Sequence, residues 1–421
     1  MSRHLRRTIL AALVAAVAIG GWLGQSWLPA PPAEPVANAA ASMAPTASPT
    51  TDASATPEPA EPESTPVASH APVTQPTAAP SAPPATVSAT PDLRAALDAR
   101  LARFQAKTGI PGVSVAIVFP DGSTWRGSAG LADVATGREV TPDTAFSVAS
   151  VSKTFTAALV LALVEDGRLG LDTAVRIYLP TAPVAPATTV RQLLDHTSGL
   201  RDFYHGSGID AALLSRPGRT WDANRSLRYV GKPYARPGTS WHYSNTNYLV
   251  LGMLAEAVGG APVADQLRTR FLTPLGLEHT WYQAAERPRG PLAHGYRIVG
   301  PRAALKPIDL SDGSDIAPYT SVVTASGAAG SIASTATDLA RWARALYGGE
   351  ALTAASRFEM VADVARTARL HSAIPYGLGV QAVSIRGRLT LGHSGRFVGS
   401  RAVTRWLPKP VPLCPVCSPA P

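Results

Sequence analysis

The sequence predicts one α+β domain preceded by a long non-globular segment, and three observations carry that expectation. Its first ordered stretch reads as helix then hairpin, a long and almost wholly apolar helix follows, and a short strand-like segment recurs near the C-terminus. In the opening helix Asp92 stands as a plausible N-cap, with Leu93, Leu97, Leu101 and Phe104 at helical spacing until Gly109. Val113 to Phe119 and Ser123 to Gly127 then read as two strands around the turn Asp121-Gly122. Residues 146–170, FSVASVSKTFTAALVLALVEDGRLG, read as a helix that fills a domain centre and ends near Gly167.

Before this domain the chain changes character twice. Residues 1–28 carry Arg3, Arg6 and Arg7 ahead of an apolar run from Ile9 to Leu23, the layout of an export signal. Ala37-Asn38-Ala39 fits a small-x-small cleavage site, yet it lies well beyond the apolar run, and that run is nearly long enough to span a bilayer. Signal peptide and retained N-terminal membrane anchor therefore both stay open, whereas no cysteine follows the run to take a lipid. Residues 29–91 hold 16 of the 39 prolines, mixed with Ala, Thr and Ser, and have almost nothing large and apolar to bury. Such a segment behaves as a semi-rigid spacer of up to ~200 Å, at ~3.1 Å per residue. The catalytic domain is then expected over residues 92–410, with an irregular Pro-rich tail over 411–421.

The net charge of +9 comes mostly from arginines spread singly, without a run or an aromatic-interleaved stripe, so nucleic-acid binding is not supported. Cys414 and Cys417, the two cysteines, sit in the last eight residues and cannot staple a core. A lone C-P-V-C in a Pro-rich tail reads as incidental.

The chemistry is concentrated in three places. Ser150-Val151-Ser152-Lys153 sets a hydroxyl and an amine three residues apart, adjacent on one helix face. An alcohol becomes a useful nucleophile only beside a base, and a lysine serves as that base if burial lowers its pKa. A serine at a helix N-terminus also has backbone N–H groups near a developing oxyanion. The second place is Tyr243-Ser244-Asn245, in a loop leading into the apolar helix Tyr248 to Val258. A phenol near a lysine ammonium can be held partly as phenolate, and an amide such as Asn245 can bind a substrate carbonyl. The third is His393-Ser394-Gly395, after the strand-like segment Arg388 to Leu391, where a glycine lets substrate approach the strand closely.

With these three motifs in order, residues from about Leu93 to Trp406 resemble the penicillin-recognising serine hydrolases, the group of class C β-lactamases, D-Ala-D-Ala carboxypeptidases and esterases. FSVASVSKTFTA, RQLLDHTSGL (191–200), YSNTNYLVLGMLAEAVGG, AAGSIASTATDLARWARALYGG (328–349) and PYGLGV before HSG carry the likeness. The resemblance implies a five-stranded antiparallel sheet flanked by helices (an α/β sandwich), a second, mostly helical lobe, and an active site between them. It implies that Ser150 is acylated, Lys153 and Tyr243 move protons, Asn245 orients substrate, and His393, Ser394, Gly395 and Arg396 line the site. The N–H groups of Ser150 and Arg396 would form the oxyanion hole, and no cofactor is needed.

Departures from the pattern carry information too. The third motif opens with His393 where most β-lactamases of the group have lysine, so the pull on a substrate carboxylate is expected to be weaker and pH-dependent. Gln381 stands where carboxypeptidases of the group have arginine, leaving Arg386, Arg388 or Arg396 as substitutes. The family continues through another core strand and a closing helix, whereas here WLPKPVPLCPVCSPAP follows Thr404-Arg405. Proline cannot sit in a central strand, so an unpaired sheet edge, an uncovered apolar face and a truncated or frame-shifted end are expected.

Asp195-His196 suggests a triad, but without a G-x-S-x-G elbow it reads as a structural loop. His205, His279, His294 and His371 show no metal-ligand spacing. Trp221, Trp241 and Trp342 read as packing residues, Trp241 alone being worth testing in a cleft. The function expected is an exported or membrane-tethered serine hydrolase cleaving an amide or ester of a small-molecule or peptidoglycan-derived substrate. The alternative is a catalytically inert envelope protein that binds peptidoglycan or a β-lactam.

Overall fold

The structure, a computed structural model, describes residues 88–283, 285–301 and 304–408, together with the backbone of 14–20 and 22–23. The expected spacer, apart from its last residues, and the tail 411–421 lie outside the described residues. Two features fix the scaffold: an antiparallel sheet with helices on both faces, and one helix buried nearly end to end.

The sheet's strands are β1 (Val14–Gly20), β2 (Gly112–Val118), β3 (Thr124–Asp133), β4 (Gln381–Ile385), β5 (Arg388–Phe397) and β6 (Ser400–Trp406). Helix α1 (Pro91–Thr108) precedes β2, and its Leu93, Leu97 and Leu101 pack on Val113, Ile117, Phe119 and Trp125. Thr90 is the cap, accepting from the Leu93 N–H, and Asp92 falls in the first turn, because Pro91 takes the first helical position, where its missing N–H costs nothing. Asp121 Oδ1 accepts from the N–H and hydroxyl of Ser123 and closes the expected hairpin. The order across the sheet is β4-β5-β6-β1-β2-β3 with Arg138–Glu139 at the end, so seven members replace the five expected. The additions are the short pair at 138–139 and β4, which folds onto β5 through a tight turn where Arg386 (φ 52°) and Gly387 (φ 76°) take left-handed backbone.

Most different from expectation is the place between β2 and β6. Strand β1 fills it, antiparallel to both, with Val17 opposite Val115 on one side and Val403 on the other. The edges expected to stand unpaired are thereby paired. The segment VAAVAIG is rich in β-branched residues without a charge, which suits a strand paired on both sides as well as it suits a leader. Among the described residues no single helix is long and apolar enough to cross a membrane.

The apolar run after Ser150 becomes helix α2 (Ser152–Glu165), shorter than expected because Ala149–Val151 forms a separate 3₁₀ turn before it. Every residue from Ser152 to Leu163 is buried. Phe155 stacks on Trp342 of α4 (Ala336–Gly348) with centroids 4.1 Å apart, and the Trp342 indole donates to Thr154 Oγ1 at 2.9 Å. Leu159, Leu161 and Leu163 are fully buried, worth about 1.5–3 kcal/mol each in removed apolar surface. The helical lobe comprises short helices between residues 175 and 227, then α3 (Asn245–Gly259) and its neighbours, with α3 packed directly on α2. One end of α2 is thereby held where sheet and lobe meet.

Candidate active site

Ser150 is partly exposed in the middle of the 3₁₀ turn, directly after Ala149, which is buried and has φ 48°. A non-glycine residue in the left-handed region stores strain, and here it sits next to the reactive hydroxyl. The turn is clamped from the other side by β5. A Cβ added to Gly395 would stand 2.0 Å from the Val148 carbonyl oxygen and 3.0 Å from the Ser150 nitrogen, so only glycine permits this approach.

At the second position of α2, Lys153 is wholly buried, and its Nζ has three partners: Ser150 Oγ at 3.1 Å, Asn245 Oδ1 at 2.7 Å and the Ala329 carbonyl at 2.9 Å. It also stands 5.1 Å from the Tyr243 ring centroid and 5.3 Å from that of Tyr248. Burial lowers its pKa to about 7, against a smaller upward pull from Asp202. The Tyr243 hydroxyl bonds to Ser150, and burial pushes the phenol above its ordinary range. Desolvation, with Asp202 nearby, thus favours the protonated phenol over the partial phenolate expected, against a smaller downward pull from the Ser150 hydrogen bond.

The loop after α2 that carries the D-H-T-S-G-L stretch holds the Tyr243 segment in place. His196, at φ 68°, accepts from the Ser244 N–H through Nδ1 at 3.2 Å, and its carbonyl accepts from the His242 N–H. Ser198 Oγ donates to Asn247 Oδ1 at 2.7 Å, and Asp202 Oδ2 accepts from Asn245 Nδ2 at 2.7 Å. Asp195 accepts from Thr197 and pairs with Arg366. Asp195 and His196 are thus structural, as read, and burial keeps His196 neutral. Asp202 was not singled out in the sequence, and neither were Ala329 and Tyr376.

The third motif behaves differently from expectation. His393 is fully buried, with Nε2 2.9 Å from the Tyr376 hydroxyl and Nδ1 2.6 Å from the Ser394 carbonyl. Burial, with Lys153 nearby, drives its pKa down to about 3. It carries no charge between pH 5 and 8, so no pH-dependent pull on a carboxylate arises there. Ser394 is turned to Gln381, whose Oε1 accepts from the Ser394 N–H (3.1 Å) and hydroxyl (3.2 Å). A guanidinium does stand at Gln381, that of Arg405, whose Nη2 donates to Gln381 Oε1 at 3.1 Å. Arg405 reaches it across Gly392, which pairs with both Gln381 and Arg405. Arg396 stands next to Gly395 on β5, opposite Arg401, with its side chain exposed.

The tryptophans pack as expected, and Trp241, largely buried, meets His196 edge-on at 6.1 Å. Folding does gather Asp133, His294 and Asp309, which sequence spacing does not show. His294 Nδ1 lies 2.8 Å from Asp309 Oδ2, and Asp133 is already occupied by Thr136 and the Ala135 N–H, so local hydrogen bonds account for the group.

A helix-borne serine and buried lysine, a tyrosine from a second loop and a strand glycine against the serine form the arrangement that the three motifs imply. The family model described as Beta-lactamase matches residues 97–409. The chain belongs to the beta-lactamase family. Within it, the chain is 33% identical over 315 residues to penicillin-binding protein 4 of Amycolatopsis lactamdurans, covering 71% of this chain and 78% of that protein. It is 33% identical over 220 residues to esterase EstB of Burkholderia gladioli, covering 48% of this chain and 54% of that one. The D-amino acid amidase from Ochrobactrum anthropi SV3, solved with D-phenylalanine, superposes with a TM-score of 0.60 at 26% identity, covering 75% of this chain and 91% of that one. The chain is therefore a β-lactamase-related serine hydrolase, of a kind that cleaves amides or esters.

Proposed function

We propose that this family member cleaves small amide or ester substrates through an acyl-enzyme on Ser150, with Lys153 as the resting general base. The observation that carries the reading is the buried Lys153 amine 3.1 Å from Ser150 Oγ, with a pKa lowered to about 7. Ser150 Oγ adds to the substrate carbonyl carbon while its proton passes to Lys153. Tyr243, a phenol touching the same oxygen, protonates the departing alcohol or amine and regains its proton from the Lys153 ammonium. The oxyanion rests on the N–H groups of Ser150 and Arg396, in a strand that Gly395 brings against the nucleophile's turn. Water then cleaves the acyl-enzyme by the reverse sequence of proton transfers.

The substrate class follows from the charges on β5 and its neighbours. His393 is neutral and Arg405 is engaged with Gln381, so neither offers a substrate carboxylate the free cation that a lysine in the third motif would. Esters and D-amino acid amides, as in the name of the solved neighbour, fit this site better than penicillins or D-Ala-D-Ala peptides. Export, with residues 29–91 as spacer, is part of the same proposal. Residues 14–20 cannot both pair β2 with β6 and be cut away or lie in a bilayer, so a retained N-terminus keeps the sheet closed.

The test is intact mass and peptide mapping of the full chain after mixing with a p-nitrophenyl ester, D-phenylalanine amide, a penicillin and a D-alanyl-D-alanine peptide. An acyl adduct on the Ser150 peptide, with the ester or amide turned over faster than the penicillin, is the expected result. Folded protein that binds a penicillin or peptidoglycan without any adduct would establish the inert-binder alternative.

Because the free amine is the base, kcat/KM is expected to rise with pH through about 7 and level off above it. Below that value Lys153 is an ammonium, and the rate falls tenfold per pH unit. Neither His393 nor Tyr243 adds a limb between pH 5 and 10, since one titrates far below and the other above. A pH–rate profile with a p-nitrophenyl ester, corrected for spontaneous hydrolysis, checks this.

A further inference from the structure

A neutral lysine has two N–H donors and one lone pair, and it acts as base only if the lone pair meets the proton to be taken. Around Lys153 the two acceptors without a proton to give are the Ala329 carbonyl and Asn245 Oδ1. Both N–H groups are spent on them, which leaves the lone pair facing Ser150. The arrangement depends on which way the Asn245 amide points. Flipped, it would present N–H groups to the amine and compete with Ser150 for the lone pair.

Asp202 decides the flip. It is buried, at 4% exposure, and its Oδ2 accepts from Asn245 Nδ2 at 2.7 Å. Burial raises the Asp202 pKa, against the opposing pull of the Tyr204 and Asn245 N–H groups and of His205 and Lys153; as a carboxylate it accepts and cannot donate, so only the NH₂ end of Asn245 can face it. The other oxygen is occupied, because Oδ1 accepts from the Tyr204 N–H at 3.1 Å and caps the turn Phe203–His205. Asp202 is thereby fixed at one end by the backbone and at the other by the amide. The titratable groups facing the pair are His205 and Tyr204 beside Asp202, and His196, His393, Tyr243 and Tyr248 beside Lys153; burial keeps His196 and His393 neutral and raises all three phenols. We propose that Asp202 is a positioning residue that locks the Asn245 amide oxygen onto Lys153 and so aims the lysine lone pair at Ser150. The inference rests on Lys153 being the base, as proposed above.

The experiment is a double-mutant cycle in the full chain with Asp202→Asn, Asn245→Ala and the pair, read as kcat/KM for the p-nitrophenyl ester across pH. Asparagine caps the Phe203–His205 turn as well as aspartate does, so the local fold and Tm are retained. It both donates and accepts, so it no longer selects one flip of Asn245. Asp202→Asn is expected to lower kcat/KM about 10- to 100-fold, the value of a hydrogen bond to a charged partner. It should also move the acid limb to lower pH, because the carboxylate that favours the ammonium is gone. In the Asn245→Ala background the same change should alter kcat/KM by less than about threefold, since there is no amide left to orient.

Equal losses in both backgrounds, or wild-type rates in Asp202→Asn, overturn the proposal. If Asp202→Asn does not fold, Asp202→Ser, which caps the same turn, takes its place in the cycle under the same criteria. A fully active Lys153→Met would remove the base assignment itself and this inference with it. An inactive Lys153→Met with additive Asp202 and Asn245 effects removes only the positioning role.

Discussion

Ser150→Ala and Lys153→Met are each expected to lower kcat/KM about ten-thousandfold, and the double variant to lose no more than the worse single one. The two groups work as a unit: an unactivated hydroxyl does not attack, and a base with no hydroxyl beside it has nothing to deprotonate. What survives is the binding and oxyanion contribution, which neither side chain supplies. Lys153→Met carries a structural cost as well, because Asn245 Oδ1 and the Ala329 carbonyl lose their donor in a buried site. Each such loss costs about 1–3 kcal/mol, so Tm must be measured alongside kcat/KM. Ser150→Ala removes one partly exposed hydroxyl and should leave Tm near wild type. Multiplying losses in the double variant would mean that serine and lysine act in separate steps, and the single-base mechanism would fall.

The same residues mark where the sequence could be read and where it could not. Ser150 and Lys153 were legible because their relation is local: three residues apart on one helix, their adjacency follows from helix geometry. Tyr243 and Asn245 were legible as a motif, and the loop from Asp195 to Leu200 as structural. Asp202, Ala329 and Tyr376 were not, since each reaches its partner only when segments distant in sequence are folded together. Asn245 meets Asp202 from 43 positions away, and Lys153 meets Ala329 from 176. An aspartate after a glycine-containing loop looks like any turn residue until its partner is known.

His393 was misread for a related reason. Its reference pKa describes a solvated ring, and nothing in the string H-S-G says that Tyr376 and the Ser394 carbonyl will take both nitrogens in a buried site. Residues 14–20 illustrate a second kind of ambiguity. An uncharged run of Val, Ile and Ala satisfies a leader, a membrane segment and a central strand alike, and composition does not arbitrate. The gap between β2 and β6 is a property of the sheet, visible only once strands 112–118 and 400–406 are placed.

Gly395→Ala should cost about a hundredfold in kcat/KM while leaving the protein folded. The new methyl would stand 2.0 Å from the Val148 carbonyl oxygen and 3.0 Å from the Ser150 nitrogen, and both are backbone atoms that cannot rotate aside. The 3₁₀ turn is held by the Val151 N–H on the Val148 carbonyl and by Ala149, packed against Val322, Val323 and Phe397. Strand β5 is held by seven register pairs to β6. Relief therefore comes from separation of β5 and the turn by roughly an ångström, a displacement that costs about 10²-fold when it falls on a reacting group. The loss should appear in the rate of acyl-adduct formation, since the oxyanion forms between the Ser150 and Arg396 N–H groups and their spacing is what changes. Ester binding, which relies less on that spacing, should weaken less, so kcat falls more than KM rises. A Gly395→Ala variant that acylates at the wild-type rate would show that β5 does not bear on the nucleophile's turn, and the oxyanion assignment would have to move elsewhere.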